Sequence, residues 1–280
     1  VILVTGATGV VGRQVAHTLA RSGRVRLLVR DPARLTVEGP GVEVATGAYE
    51  DHASLLRALK GVEAAFLVTV DPGGQEDGRF LRAAVAADVR HVVKLSSYAA
   101  GEDDADDLIT RWQRKCEETL RSSGLDWTLL RPRAFMSNTL SWADSIRREG
   151  AVRALYPGSE NACVDPRDIA EVAVTALTSP GHEGRVYPLT GPEAVSAEQQ
   201  TRHLAAVLGR PLVCRELTPQ QAAARWARRY PPQVVHALVL SAQRQLLGRK
   251  TTTDPTFARV TGHPPRSYRQ WATDHRNAFA

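Results

Sequence analysis

Three glycines spaced G-x-x-G-x-x-G lie in the segment Val4-Thr5-Gly6-Ala7-Thr8-Gly9-Val10-Val11-Gly12. They follow the apolar, β-branched run Val1 to Thr5 and open a helix-patterned segment with apolar positions at Val11, Val15 and Leu19. Strand, glycine loop and helix in that order demand a tight turn at Gly6, a backbone approach free of side chains at Gly9, and close helix-to-strand packing at Gly12. The N–H groups around Val10 and Val11, with the positive end of the helix dipole and the Thr8 loop beside them, suit a pyrophosphate. A dinucleotide is the expected ligand.

Downstream, Val25 to Arg30, Val42 to Ala45, Ala64 to Val70, His91 to Ser96 and Trp127 to Arg131 read as further strands separated by helices. Continuous apolar strands in a βαβ rhythm predict an α/β fold: a Rossmann-type, doubly wound parallel sheet. After Pro132 the rhythm loosens, with short strands at Arg185 to Leu189 and Pro211 to Glu216 and turn dipeptides such as Pro157-Gly158. The expected division is a Rossmann domain over 1–132 and a smaller mixed α/β lobe over 133–280, packed on the crevice to supply the substrate pocket.

The 280 residues carry a net charge of +6, but the arginines are dispersed, without the basic-aromatic interleaving of a nucleic-acid surface. Cys116, Cys163 and Cys214 form no C-x-x-C pair, so neither a disulfide framework nor a zinc knuckle is indicated and a reducing cytoplasm fits. No apolar stretch reaches the length that spans a bilayer, so no membrane association is expected. A homodimer is compatible with all of this.

The second strand ends in Val29-Arg30, where a site selective for NAD would place an acid on the ribose hydroxyl. Arg30 offers a planar fork of donors to a 2′-phosphate, and Arg34 can join it. The cofactor is therefore read as NADP(H). Asp31 before Pro32 fits a helix cap.

These motifs resemble the NmrA-like family of atypical short-chain dehydrogenases/reductases, which includes type 2 quinone oxidoreductases, azoreductase-like enzymes and NADP-sensing regulators. The likeness runs through Thr5 to Gly12, Leu28 to Arg34, Val93 to Ser97 and Arg121 to Pro132 with Phe135 and Asn138. It continues through Asp168-Ile-Ala170, Tyr187 to Pro192 and Thr261 to Pro265, nearly the whole chain. The resemblance implies a cofactor cleft formed by the glycine loop, Arg30, Arg34, the Ala48-Tyr49 turn, Thr69, Val70, Asp71, Arg79, Gln113, Phe135 and Asn138. Ala48 stands where family members commonly carry an acid, and Gln113 where they carry lysine or histidine.

Carbonyl reduction in the wider superfamily uses a tyrosine acid with a lysine one helical turn on. Here no tyrosine has lysine at its fourth following position. Transfer of hydride to a quinone, azo compound or other electron-poor acceptor needs less help, because the product holds negative charge and draws a proton from solvent. Ser96, Ser97 and Tyr98, at the end of the fifth strand, and Gln113 are the candidate catalytic or orienting groups. Trp142 and Tyr98 are candidates for contact with an aromatic substrate. Lys115 and the acidic loop Asp103 to Asp107 read as solvated helix surface and helix entry, and the histidines show no metal spacing. The expected function is an NADPH-dependent reductase of a quinone-like or other conjugated aromatic small molecule, without flavin or metal. The competing readings are a nucleotide sensor without turnover and a non-redox isomerase or cyclase. Arg30→Ala should weaken NADPH binding by about 1.5 to 3 kcal/mol, the worth of hydrogen bonds to a charged group, and leave NADH nearly untouched. Titration of both nucleotides checks this.

Overall fold

The computed structural model describes residues Val1–Ala280. Its first half alternates strands and helices: β1 (Ile2–Val4), α1 (Val10–Ser22), β2 (Val25–Val29), β3 (Val42–Thr46), α2 (His52–Leu59), β4 (Ala64–Leu67), α3 (Glu76–Ala86), β5 (His91–Leu95), α4 (Leu108–Arg121) and β6 (Asp126–Pro132). The second half contains α5 (Ala143–Glu149), β7 (Ala151–Leu155), β8 (Glu160–Asn161), α6 (Pro166–Thr178), β9 (Arg185–Leu189), β10 (Val195–Ser196), α7 (Ala197–Leu208) and β11 (Val213–Leu217). It ends with α8 (Pro219–Trp226), α9 (Pro232–Leu246), α10 (Thr256–Thr261) and α11 (Tyr268–Asp274).

Seven strands form one parallel sheet in the order β3-β2-β1-β4-β5-β6-β9. Chain order reverses between β1 and β4, the switch point where open α/β sheets leave a crevice beyond their carboxyl ends. Helices α1 and α6 cover one face, burying Val11, Val15, Leu19, Ile169 and Ala173 against Val4, Phe66 and Leu130. Helices α2, α3 and α4 cover the other with Leu55, Leu59, Phe80 and Leu120. The near-continuous apolar strands are thus explained by burial on both faces.

Strand β9 and helix α6 both lie beyond residue 132, yet they complete the sheet and cover its face. The chain therefore leaves the Rossmann unit after β6, returns for α6 and β9, leaves again, and comes back through α10. Phe257 of α10 packs on the same core, so three elements from beyond residue 132 belong with the sheet built by the first half. Isolated strand patterns carry no information about which sheet they join. Pro188 is accommodated because β9 is the edge strand, where a missing N–H breaks no inner ladder. The lobe has its own core of Trp271, Tyr268, Phe279, Met136 and Ile146 around the parallel pair β7 and β11.

Four of the sequence-read strands stop short, and two of these endings shape the crevice. β2 ends at Val29 and β4 at Leu67, so Arg30 and Val68 to Val70 are freed to face the crevice. Thr5 ties the second of these departures down: its hydroxyl accepts from the Val68 N–H at 2.7 Å. Beneath the crevice, Lys94 of β5 and Asp77 of α3 form an ion pair at 2.6 Å with side chains 0% and 2% exposed. Thr69 donates to the second Asp77 oxygen at 2.6 Å. Removing one partner of such a pair leaves an uncompensated buried charge. Asp77→Leu should cost about 3 to 5 kcal/mol in urea unfolding, and Asp77→Leu with Lys94→Met should recover most of that loss.

Candidate active site

The crevice at the switch point opens into a cavity of about 1000 Å³, at the upper end of the roughly 300 to 1000 Å³ usual for small-ligand sites. Its base is the glycine loop. Gly6 adopts a left-handed φ of +63° that lets β1 turn into α1. A Cβ on Gly12 would stand 2.2 Å from the Gly6 carbonyl oxygen and 3.0 Å from that of Thr5, so only glycine allows the helix this close to the strand. Gly9 donates to the Gly6 carbonyl at 2.8 Å and caps α1 without a side-chain bond. The first turn carries no acid, and the first backbone bond of the helix runs from Arg13 to Gly9 at 3.2 Å. The N–H groups of Val10, Val11 and Gly12 are therefore left to an external anion, which is what a pyrophosphate requires.

Arg30 and Arg34 line the same cavity, are exposed, and join no ion pair of the protein. Two unneutralised guanidinium groups one short turn apart match a 2′-phosphate. The intervening Asp31 accepts from Ala33 N–H at 3.1 Å, capping the short 3-10 turn Pro32–Arg34, so its carboxylate is engaged locally. The donor set fits NADP(H).

Gly6, Thr8, Gly9, Val10, Val11, Gly12, Arg30, Arg34, Ala48, Tyr49, Thr69, Val70, Asp71, Gln113 and Phe135 all line the cavity. The structure draws others away. Arg79 is bonded to Gln75 at 2.8 Å and faces Glu50, off the cavity wall. Asn138 is exposed in the 3-10 segment Met136–Trp142, also outside it. Trp142 packs on the core of the smaller lobe, so it belongs to that lobe and not to the substrate wall. Ser97 and Tyr98 turn aside from the cavity, with the Arg133 guanidinium 3.7 Å above the Tyr98 ring. Burial pushes the Tyr98 hydroxyl above its usual range, which keeps it neutral.

Ser96 does reach the cavity, and its role is set from behind. Its hydroxyl donates to Glu117 Oε1 at 2.6 Å. Arg131 clasps the same carboxylate through Nε at 2.9 Å and Nη2 at 2.6 Å, and Arg121 adds a third contact at 3.1 Å. Burial opposes ionisation of Glu117, but the bonds from Arg131 and Ser96 and the charges of both arginines outweigh it and hold the carboxyl below its ordinary range. The Ser96 proton is thus committed to a carboxylate, so Ser96 faces a ligand as an acceptor.

Sequence reading did not find the opposite wall. Ile109 and Trp112 of α4 join Gln113 there, and Tyr230, Pro231, Gln233 and Val234 reach over from the start of α9. Trp112 Nε1 and Gln113 Oε1 are buried and have no hydrogen-bond partner within the protein. Trp112 had one usable signal, its place beside Gln113 on the same helix. The α9 residues had none, because they lie over a hundred positions away along the chain and meet the cavity only through packing on α4.

Comparison with known proteins agrees with this geometry. The NAD(P)H-binding family pattern matches residues 6–180. A (4-alkanoyl-5-oxo-2,5-dihydrofuran-3-yl)methyl phosphate reductase of Streptomyces griseus subsp. griseus is 56% identical over 279 residues, covering 100% of this chain and 99% of the relative. An NAD(P)H azoreductase of Xenophilus azovorans is 34% identical, with 99% of each chain covered. An NADPH-dependent quinone oxidoreductase of Escherichia coli, crystallised with NADPH, superposes with a TM-score of 0.84 at 25% identity, covering 98% of this chain and 99% of that one.

Because the atoms meeting a Cβ at Gly12 are backbone, Gly12→Ala should lose about 1 to 3 kcal/mol of stability by overpacking and bind NADPH poorly. At Gly9 the Gly6 carbonyl oxygen would lie 3.2 Å from the added Cβ, tight but without the overlap at Gly12, so Gly9→Ala should lose less stability than Gly12→Ala yet still bind NADPH more weakly. Thermal melts paired with nucleotide titration separate the two effects.

Proposed function

The chain belongs to the NAD(P)H-binding family, and from that footing we propose that it is an NADPH-dependent reductase of the electron-poor carbon–carbon double bond of a (4-alkanoyl-5-oxo-2,5-dihydrofuran-3-yl)methyl phosphate. The observation that carries this reading is end-to-end identity of 56% with an enzyme named for that substrate. The glycine loop, Arg30 and Arg34 would hold the cofactor, which would supply a hydride to the ring carbon bearing the phosphomethyl group.

The chemistry then explains what the site lacks. Hydride at that carbon leaves the negative charge on the neighbouring ring carbon, which sits between the lactone and alkanoyl carbonyls. An enolate spread over two carbonyls is a stable anion and takes its proton from water, so a tyrosine acid backed by lysine has no task here. NADPH and one proton are consumed, and the saturated lactone and NADP⁺ are formed. The quinone-like acceptor expected from the sequence shares this property of a conjugated, charge-delocalising product, but the proposed ring is not aromatic.

The protein's contribution is placement and electrostatics. The unpartnered Trp112 indole N–H is suited to donate to a carbonyl oxygen on which charge accumulates. Ser96, its own proton held by Glu117, serves as an acceptor. Phe135, Ile109 and Val234 give the wall an apolar character that suits an alkanoyl chain.

The test is NADPH oxidation with the synthetic butenolide phosphate, using cofactor deuterated at the transferable position. Deuterium is expected on the ring carbon bearing the phosphomethyl group, and Trp112→Phe should lower kcat by about 100-fold, as for loss of one oxyanion donor. Turnover of simple quinones with no turnover of the butenolide would overturn the assignment.

A further inference from the structure

The proposed substrate ends in a phosphate dianion, and the cavity's own guanidinium groups, Arg30 and Arg34, are in the wrong place for it. They follow β2, three strand positions from the end of β5 where Ser96 lies, a distance of about 14 Å. A second cationic group lies against Tyr98, two residues beyond Ser96. Arg133, one residue beyond β6, is 5% exposed; its Nη2 donates to Glu102 Oε1 at 2.7 Å and to the Arg249 carbonyl at 3.1 Å. Arg244 of α9 donates to the other Glu102 oxygen at 2.9 Å and to Asp104 at 2.9 Å. Lys250 donates only to the Ser241 hydroxyl, at 2.6 Å.

Arg133 and Arg244 thus share Glu102, Arg244 and Arg249 share the half-exposed Asp104, and Lys250 stands beside them with no carboxylate partner. The arginines also have unspent donors, since Nε of Arg133 and Nε of Arg244 are buried without a hydrogen-bond partner. A structural tie between the end of β6 and α9 needs only Arg133, Glu102 and Arg244. It gives no reason for a third, nearly buried cation to stand against two others. Burial, and then the charges of Arg244 and Arg133, push the Lys250 ammonium down to about 8. An incoming anion would relieve that cost.

The cluster and the cavity are joined by one helix. Val234 lines the cavity, and Ser241, seven residues on, lies on the same face of α9 about 10 Å along its axis. Tyr98, under Arg133, follows Ser96 in the chain by two residues. We propose that Lys250, with Arg244 and Arg133 behind it, is the binding site for the phosphate monoester of the substrate; this rests on the reductase reading above. The site lies apart from the pair of arginines that receives the cofactor's phosphate, so the two phosphates do not compete.

Phenyl phosphate titrated into NADP⁺-saturated protein tests the site without turnover. Lys250→Met, which removes a buried charge with one hydroxyl partner, should weaken phenyl phosphate at least 10-fold, and Lys250→Arg should restore most of it. Turnover supplies the second arm: the wild-type preference for the butenolide phosphate over its hydroxymethyl counterpart, as a ratio of kcat/KM, should fall at least 10-fold in Lys250→Met. Absence of phenyl phosphate binding in the wild type, or equal binding in Lys250→Met, overturns the phosphate site even if the butenolide is reduced. Loss of phenyl phosphate in Lys250→Met while wild type reduces neither butenolide sustains the anion site and overturns the reductase reading instead.

Discussion

The close approach of α1 to the end of β1 governs the rest of the molecule. With no Cβ at Gly12, the first turn of the helix rests on the Gly6 and Thr5 carbonyls and presents uncapped N–H groups to the crevice. Uncapped helix starts are costly unless water or a ligand satisfies them. The protein accepts that cost here, where the sheet's chain order reverses. Everything that recognises the nucleotide is arranged around those few amides.

A second feature is the amount of charge held under the crevice floor. Lys94 and Asp77 pair beneath Thr69, and Glu117 with Arg131 and Arg121 stands behind Ser96. These groups do not meet a ligand directly. They decide what the groups that do meet it can offer, as with the Ser96 proton. Buried ion pairs are poor sources of stability compared with apolar packing, so their presence under one wall of one cavity fits a role in positioning.

The proposed chemistry and the architecture are consistent in what they omit. An acceptor that stabilises its own adduct leaves the protein to align two molecules and shield them, and the walls supply apolar side chains with one unpartnered donor, the Trp112 indole N–H, and one unpartnered acceptor, Gln113 Oε1. The α9 helix gives the second wall and, farther along, Arg244 of the cationic cluster. On the proposed reading, one helix thus serves both ends of the acceptor.

Local patterns determined the nucleotide half of this protein. The glycine spacing, the arginine after the second strand and the apolar strands are properties of a few contiguous residues, whose consequences follow from backbone sterics and charge wherever the chain places them. The absence of the Tyr-x-x-x-Lys pair was equally local. Tertiary structure alone decided that β9 and α6 return to the first sheet, that Trp142 belongs to the small-lobe core, and that Arg79 and Asn138 miss the cavity. It also brought α9 over α4, setting Val234 opposite Phe135 and Lys250 against Arg133. Such meetings depend on packing between residues a hundred positions apart, and no short-range pattern of hydrophobicity or turn chemistry encodes a contact of that range.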